Sequence, residues 1–269
     1  MSGVATISDL EFSQFQKLIH QLAGIHMSSE KKALVCGRLA KRLEQHGLGS
    51  YTEYFKLLTA ERNAPELQVA VDLLTTNETY FFREPKHFDF LRERVLPAHK
   101  SSRPFRAWSA ACSSGEEPYS AAMLFADHFG DGPWEVVASD ISMRMLEKAR
   151  NGHYSMDRID GISREHLSRY CLKGTGPQEG TLLVDRKLRS RVSFMQVNLS
   201  KDLPELGEFD LILLRNVMIY FDMTTKRQVV RRMLPLLKPG GHFLIGHSES
   251  LNGVVDGLRL LAPSIYQKP

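Results

Sequence analysis

The stretch Phe105–Phe129, FRAWSAACSSGEEPYSAAMLFADHF, decides the fold. It starts as a short apolar run, bends at a single glycine, and continues with apolar residues at helical spacing. The alternation recurs along the chain, with further strands predicted over Trp134–Ser139, Val192–Val197, Phe209–Leu214, His242–Ile245 and Ser264–Gln267. Alternating strands and helices imply right-handed crossovers. The sequence therefore predicts an α/β fold with a Rossmann-like, doubly wound, mostly parallel sheet.

The first hundred residues follow a different pattern, in which one helix succeeds another. Ser8 with Glu11, and Ser50 with Glu53, each fit a capping box that satisfies free N–H groups at a helix start. We predict a small all-helical N-terminal domain for substrate docking over residues 1–74, a linker and helix over 75–102, and the sheet domain over 103–269.

The segment Asn151–Arg191 interrupts the rhythm of the sheet domain. It contains the turn-rich heptapeptide GTGPQEG at Gly174–Gly180 and a short apolar run at Thr181–Val184. Glycine and proline clusters beside apolar runs are typical of hairpin connections. We therefore predict an inserted β-subdomain, containing a hairpin, at about 151–191.

The composition is that of a globular chain, with 269 residues, 42% hydrophobic and 25% charged. No apolar run reaches the roughly 18 residues of a membrane helix, and Met1–Asp9 lacks the pattern of a secretion signal. Three separated cysteines form neither a disulfide framework nor a metal knuckle. We therefore expect a cytoplasmic chain without membrane insertion, and the net charge of +4 does not argue for nucleic acid.

A group of basic residues lies near the start of the chain: Lys31, Lys32, Arg38, Lys41 and Arg42. Such a group forms either a solvated helix face or a docking face for an acidic partner. The residues by themselves leave both interpretations open.

The turn after the first predicted strand has one glycine, Gly115, and so lacks the GxGxxG dinucleotide pattern. A pyrophosphate needs positive potential at this helix start, whereas Glu116 and Glu117 supply two carboxylates. The pair favours a ligand with a cation, such as the ammonium or sulfonium of S-adenosylmethionine. The alternative is that both glutamates complement the helix dipole.

Polar residues follow the other predicted strands as well. Asp140 stands where a carboxylate accepts hydrogen bonds from ribose hydroxyls, or caps the next helix. Asn198 and Leu199 are suited to line an adenine pocket, and the run RNVMIYF after Leu214 suits a site floor in which Tyr220 can hydrogen-bond. Because ligands of such sheets lie beyond the carboxyl ends of the strands, these segments form the predicted site.

A further segment, TTNETYFFRE at Thr75–Glu84, is too aromatic for a plain linker and is expected to form an ordered lid between the domains. Together with SAACSSGEEPYS at Ser109–Ser120, ASDIS at Ala138–Ser142 and LLRNVMIYFD at Leu213–Asp222, it resembles the chemotaxis receptor methyltransferases of the CheR type. These motifs follow the family's order over nearly the whole chain.

The resemblance implies methyl transfer from S-adenosylmethionine to glutamate side chains of chemoreceptor cytoplasmic domains. The products are glutamate methyl esters and S-adenosylhomocysteine. It also implies a set of cofactor-binding residues and no metal: Asn77, Thr79, Arg83, Glu117, Asp140, Asn198, Leu199, Asn216 and Val217. The alternatives are the same chemistry in a chemosensory pathway other than motility, and an NAD-dependent or nucleotide-sugar enzyme on this fold.

Two partner surfaces follow from the resemblance. The basic helix around Arg38, Lys41 and Arg42 would face the acidic helical bundle of the receptor, where charge complementarity raises the association rate. The β-subdomain would take a receptor C-terminal pentapeptide by strand addition.

A glutamate carboxylate has a free pKa of about 4.3, so it is already a nucleophile at neutral pH and needs no general base. The remaining task is in-line positioning of the carboxylate against the methyl group. We expect Arg83 to steer that carboxylate, and Tyr220 to orient the carboxylate or the sulfonium, so these two are the candidate catalytic residues.

Overall fold

The computed structural model describes residues 6–60, 62–100 and 103–269. The chain divides into two units, one formed by Met1–Thr76 with Tyr220–Thr225, the other by Asn77–Ile219 with Lys226–Pro269. The start of the predicted helical domain, at residues 1–5, and the end of the predicted linker, at residues 101–102, lie outside the described residues.

The first unit contains four α-helices: α1 (Asp9–Ala23), α2 (Lys32–Gln45), α3 (Tyr51–Thr59) and α4 (Ala64–Leu74). The predicted capping box at Ser8 is present, because its side chain accepts from the Glu11 N–H while Glu11 reaches back to the Ser8 backbone. At Ser50 only half of the box forms, since Glu53 accepts from the Gly49 N–H instead.

A buried carboxylate joins three of these helices. Glu66 on α4, 8% exposed, accepts hydrogen bonds from Tyr54 Oη at 2.6 Å and Arg42 Nε at 2.8 Å, and lies 3.2 Å from His46 Nε2. Burial alone would raise the pKa of Glu66, but the hydrogen bonds from Arg42, Tyr54 and His46 bring it down to about 2. The pairing therefore favours the charged form and stabilises the folded unit.

We expect Glu66→Gln to lower the free energy of unfolding at neutral pH by about 3 kcal/mol, because the folded pKa of about 2 lies below the ordinary value of 4.5. A depressed folded pKa gives stabilisation that is full above the unfolded pKa and is lost as the pH falls through the folded one. Urea unfolding at a series of pH values measures this slope. The exposed Glu44→Gln is the control, and equal acid slopes for the wild type and Glu66→Gln would contradict the assignment.

The second unit is built on a seven-stranded sheet with the order β6-β2-β1-β7-β8-β10-β9. Its strands are β1 (Phe105–Ser109), β2 (Trp134–Asp140), β6 (Val192–Gln196), β7 (Phe209–Leu214), β8 (Leu237–Ile245), β9 (Arg259–Ala262) and β10 (Ile265–Gln267). The first five pair in parallel, and β10 pairs antiparallel with β8 and β9. This confirms the predicted Rossmann-like, mostly parallel sheet.

The helices of this unit alternate with the strands, except that α5 precedes β1. They are α5 (Pro85–Phe90), which continues as a π-helical turn over Leu91–Val95, then α6 (Glu116–Phe129), α7 (Met143–Asn151), α8 (Arg164–Tyr170), α9 (Arg186–Arg189) and α10 (Met223–Met233). The apolar run of β7 is almost wholly buried, as is typical of a central parallel strand.

A second, three-stranded antiparallel sheet lies in the predicted insertion, with the order β3-β5-β4. Its strands are β3 (His153–Ser155), β4 (Cys171–Lys173) and β5 (Thr181–Val184). The predicted hairpin corresponds to β4 and β5 joined by the glycine-rich turn. The third strand, β3, was not predicted because three residues carry too little periodicity.

Two details differ from the predicted elements. The predicted strand His242–Ile245 is the end of a longer strand, because β8 begins at Leu237. Its register shifts along the way, since Phe209 pairs with Leu237 but Leu211 pairs with His242. Strand β9 had no predicted counterpart. Within the described ranges no helix is long and apolar enough to cross a membrane, and all three cysteines are free.

Candidate active site

The candidate site lies beyond the carboxyl ends of the parallel strands. Strand β1 stands between β2 and β7, so the chain crosses to opposite sides of β1 and leaves a crevice at this switch point. The turn after β1, the end of β2 and the loops after β6 and β7 carry most of the residues predicted for the site.

The turn after β1 is fixed by close packing around Gly115. Its φ of +98° lies in the region that favours glycine, and a Cβ there would come within 2.9 Å of both Ala149 Cβ and Tyr154 Oη. Tyr154 in turn donates to the Ser114 carbonyl at 2.7 Å. The start of α6 is therefore held against α7 and β3 with no room for a side chain at this position.

Glu116, the first residue of α6, is 1% exposed. Its Oε2 accepts from Ser114 Oγ at 2.7 Å, whereas Oε1 has no hydrogen bond and lies 3.6 Å from Arg158 Nη2. Burial raises the pKa of Glu116, and the Ser114 hydrogen bond opposes that rise. The side chain thus points away from solvent, against Arg158.

Glu117 is the carboxylate of the pair that is accessible at the crevice, with its side chain 12% exposed. Each oxygen has a donor: Ser109 Oγ lies 2.7 Å from Oε1, and Arg215 Nη1 lies 2.9 Å from Oε2. Burial raises the pKa of Glu117, and the charge of Arg215 together with the Ser109 hydrogen bond opposes it.

Asp140 ends β2 and is 7% exposed. Its Oδ2 accepts from the Ser113 N–H at 2.8 Å, and its Oδ1 accepts from the Ser142 N–H at 2.9 Å. The helix-capping interpretation is not met, because the N-cap of α7 is Ser142, whose side chain accepts from the Met145 N–H. Asp140 instead fixes the turn before that helix. The ribose interpretation stays a prediction.

The loops after β6 and β7 place the other predicted residues. Asn198 Oδ1 accepts from the Ser200 N–H at 3.0 Å and from its hydroxyl at 2.7 Å, which closes a turn, and Leu199 is buried. Asn216 takes a φ of +57°, an unusual value for a residue with a side chain. Val217 follows it and is half-buried.

The Asn216 conformation is supported by two acidic side chains. Glu249 Oε2 accepts from the Asn216 N–H at 2.9 Å, and Glu84 Oε1 accepts from the Asn216 side-chain amide at 3.1 Å. Burial alone would raise the pKa of Glu84, but hydrogen bonds from the His247 N–H and Asn216 and the charge of Arg215 lower it to about 2.

A histidine pair adjoins Glu84. His87 Nδ1 lies 3.4 Å from Glu84 Oε2, and the His87 and His247 rings are 4.7 Å apart. These three side chains each bring one ligand atom within 4.8 Å of the others, but Glu84 is already bonded to Arg215 and Asn216. Burial and the charge of Arg215 lower the pKa of His87 to about 3, so its ring is neutral.

The segment Asn77–Arg83 belongs to the sheet unit and is attached through its backbone. Ser113 Oγ donates to the Asn77 carbonyl at 3.0 Å, and Arg158 Nη2 donates to the Thr79 carbonyl at 3.1 Å. The Arg83 carbonyl accepts from Arg215. The segment is therefore ordered on the sheet unit, next to the turn that carries Glu116 and Glu117.

The two candidate catalytic residues fall in different units. The half-buried Arg83 donates to the Glu78 carbonyl at 2.8 Å and lies over the Tyr80 ring at 5.7 Å. Tyr220 is grouped with the helical unit, and its carbonyl accepts from the His26 N–H at 2.7 Å. The role of Arg83 in steering the substrate carboxylate, and that of Tyr220 in orienting the carboxylate or the sulfonium, stay predictions.

Sequence reasoning placed Arg215 in the site floor but gave it no role, and the structure shows a side chain that is only 2% exposed. It joins Glu117 and Glu84, which are 98 and 131 residues away in sequence. Its position directly after an apolar strand was a usable signal, because a lone arginine there needs buried acidic partners. Nothing in the local sequence indicates that Glu84 and Glu249 are the acidic residues that bond to Asn216 in the loop after β7.

The basic residues near the start of the chain differ in whether their side chains are bonded within the helical unit or exposed. Arg38 donates to the carbonyls of Leu74 and Thr75, and Arg42 pairs with Glu66. Both are therefore engaged within the helical unit, which their spacing on one helix did not indicate. Lys31 and Lys41 are exposed.

The sequence comparisons match this arrangement to known proteins. The family model described as the CheR methyltransferase all-alpha domain matches residues 10–75, and the model of the CheR SAM-binding domain matches residues 77–265. The chain belongs to the CheR methyltransferase family. It is accordingly an S-adenosylmethionine-dependent methyltransferase of the chemotaxis type, as the sequence motifs predicted.

Individual relatives cover almost the whole chain. The chemotaxis protein methyltransferase of Salmonella typhimurium is 43% identical over 99% of this chain and 92% of its own length. The Escherichia coli protein of the same name is 42% identical over 99% and 93%. Chemotaxis protein methyltransferase 2 of Pseudomonas aeruginosa is 41% identical over 95% and 92%.

The residues of this CheR methyltransferase fit S-adenosylmethionine on chemical grounds. The cofactor carries an ammonium and a sulfonium, and the crevice presents the partly exposed carboxylate of Glu117. Asp140 adds a carboxylate at the end of β2, and Glu116 Oε1 is a buried oxygen without a hydrogen-bond donor. An acidic site of this kind suits a cationic ligand and disfavours a pyrophosphate.

Proposed function

We propose that this enzyme methylates glutamate side chains on the cytoplasmic domains of chemoreceptors, and that it therefore works in the cytoplasm. The observation that carries the proposal is the acidic crevice at the switch point of a CheR-family sheet, where Glu117 stands 12% exposed. Membership of a methyltransferase family sets aside the NAD-dependent and nucleotide-sugar alternatives. A chemosensory pathway other than motility would use the same chemistry.

Each predicted cofactor residue has a proposed role. Glu117 receives the methionyl ammonium, and Asp140 accepts from the ribose hydroxyls. The remaining residues complete the pocket for the adenine and the methionine chain: Asn77, Thr79, Arg83, Asn198, Leu199, Asn216 and Val217. The attachment of the Asn77–Arg83 segment to the turn after β1 supports a pocket made jointly by these two segments.

The bound cofactor supplies an electrophilic methyl group on a sulfonium. With the cofactor in place, a substrate glutamate oxygen would take this methyl group, and the sulfur would keep the electron pair of the broken carbon–sulfur bond. No proton moves, because the carboxylate is ionised at neutral pH. The protein's part is orientation and exclusion of water, for which Arg83 offers a cation and Tyr220 a hydroxyl. Arg83 is held by the Glu78 carbonyl and so is positioned before substrate arrives.

Two surfaces suit the receptor. On the helical unit the exposed Lys31 and Lys41 would contact the acidic receptor helices. Arg38 and Arg42 are instead bonded within the helical unit, to the Thr75 carbonyl and to Glu66. On the three-stranded sheet a groove of about 450 Å³ is lined by residues that include Leu172, Thr175 and Leu183. Leu172 is 54% exposed on β4, an edge strand, as strand addition by a pentapeptide requires.

The test is methyl transfer from labelled cofactor to receptor cytoplasmic fragments, with and without their C-terminal tails. We expect base-labile methyl esters on glutamate, and a KM for the tailed fragment that is lower by about tenfold. Lys41→Glu should raise KM for both fragments, and Leu172→Asp for the tailed fragment alone. Label that resists mild base, or that appears on residues other than glutamate, would reject the proposed chemistry. Equal KM values with and without the tail would reject the pentapeptide site.

A further inference from the structure

Arg215 is a buried cation between two carboxylates. Its Nη1 lies 2.9 Å from Glu117 Oε2, and its Nη2 lies 3.1 Å from Glu84 Oε2. Nη2 also donates to the Arg83 carbonyl. Since removing one partner of a buried ion pair leaves the other uncompensated, the charge on Glu117 depends on Arg215.

Ser109 acts on the other oxygen of the same carboxylate. It lies at the end of β1, is fully buried, and its Oγ lies 2.7 Å from Glu117 Oε1. One neutral donor and one charged donor therefore fix the rotation of the Glu117 carboxylate, whose side chain stays 12% exposed. Hydrogen bonds to the ionised form favour ionisation.

We propose that Arg215 and Ser109 are positioning residues that keep the Glu117 carboxylate ionised and oriented to receive the ammonium group of the cofactor. The inference rests on the proposed role of Glu117 as the ammonium ligand. Neither residue needs to touch the cofactor, because each acts through Glu117.

The other groups around Glu117 work against its ionisation. Burial raises its pKa, and the negative charge of Glu84 raises it further. The Cys112 thiol nearby is neutral, because burial raises its pKa well above the ordinary value. His87, which faces Glu84, is neutral as well. Arg215 and Ser109 therefore favour the ionised form of Glu117. Loss of either raises the pKa of Glu117, so that it binds a proton nearer neutral pH.

A protonated Glu117 has no charge to attract an ammonium, so cofactor affinity should become pH-dependent in the variants. We expect Arg215→Gln to weaken S-adenosylhomocysteine about 30-fold at about pH 6.5, with much of the loss recovered at about pH 8.5. Ser109→Ala should change in the same direction by about threefold, and Arg215→Lys should restore part of the affinity. Isothermal titration calorimetry at both pH values measures these constants.

The controls separate this inference from the proposed function beneath it. Glu117→Gln should bind S-adenosylhomocysteine weakly at both pH values, because an amide does not ionise. The exposed Arg92→Gln should bind it with the affinity of the wild type. Wild-type affinity in Glu117→Gln would reject Glu117 as the ammonium ligand. Weak binding by Glu117→Gln, with Ser109→Ala keeping the wild-type pH profile, would overturn the positioning roles. If thermal melting shows that Arg215→Gln is unfolded, the pH profile of cofactor affinity in Ser109→Ala tests the positioning role by itself.

Discussion

Replacing Gly115 by alanine should abolish cofactor binding at ordinary concentrations and destabilise the sheet unit by about 2–4 kcal/mol. Two costs add. An alanine at a φ of +98° is strained, and its Cβ would lie 2.9 Å from both Ala149 Cβ and Tyr154 Oη. Relief requires movement of the turn that carries Glu116 and Glu117, because Tyr154 is itself bonded to the Ser114 carbonyl.

Gly180→Ala is the matched control for this prediction. Gly180 has a φ of +78°, yet nothing lies within 4 Å of a Cβ built there. It should therefore show the backbone cost alone, about 1 kcal/mol, with unchanged cofactor affinity. Denaturant unfolding and calorimetry with S-adenosylhomocysteine measure both effects. If Gly115→Ala matched Gly180→Ala in both, close packing at the turn would not govern the site.

Replacing Asp140 by asparagine should weaken cofactor binding about 100-fold and cost about 2 kcal/mol of stability. The carboxylate accepts from the Ser113 and Ser142 N–H groups at 2.8 and 2.9 Å, and an amide can accept with one end only. The unsatisfied N–H group accounts for the stability loss. Loss of a charged acceptor for the ribose hydroxyls accounts for most of the affinity loss.

A ligand comparison separates these two roles of Asp140. Methylthioadenosine keeps the ribose of the cofactor but lacks its ammonium, so Asp140→Asn should weaken both ligands whereas Glu117→Gln should weaken S-adenosylhomocysteine alone. Asp210→Asn is the control, because Asp210 also accepts from a backbone N–H, that of Arg106, and from Lys238. It should lose stability without losing affinity. Unchanged methylthioadenosine affinity in Asp140→Asn would leave Asp140 with a structural role only, in fixing the turns at Ser113 and Ser142.

The strands and helices were largely predictable because their signals are local. The predicted strand Phe209–Leu214 matches β7 residue for residue, and the apolar residues at helical spacing after Gly115 form α6. An apolar run bounded by polar turns is specified by neighbours in sequence. Strands of three or four residues, such as β3 and β9, give no such pattern and were missed.

The candidate site was predictable to the extent that it follows strand ends. Asp140, Asn198 and Asn216 were assigned to the predicted site because the carboxyl ends of parallel strands meet at one edge. The contacts that individual side chains make could not be predicted in this way. The interpretation of Arg38 and Arg42 as docking residues shows this, since their partners Thr75 and Glu66 lie 37 and 24 residues away in sequence.

The sequence by itself determined the class of the protein: a helical unit, a Rossmann-like sheet with an insertion, and an acidic turn suited to a cationic cofactor. Only the tertiary structure decided how the two glutamates of that turn differ. Glu116 is 1% exposed and faces Arg158, whereas Glu117 is held at the crevice by Ser109 and Arg215. Adjacent residues on a helix point about 100° apart, so their surroundings are set by strands and loops distant in sequence.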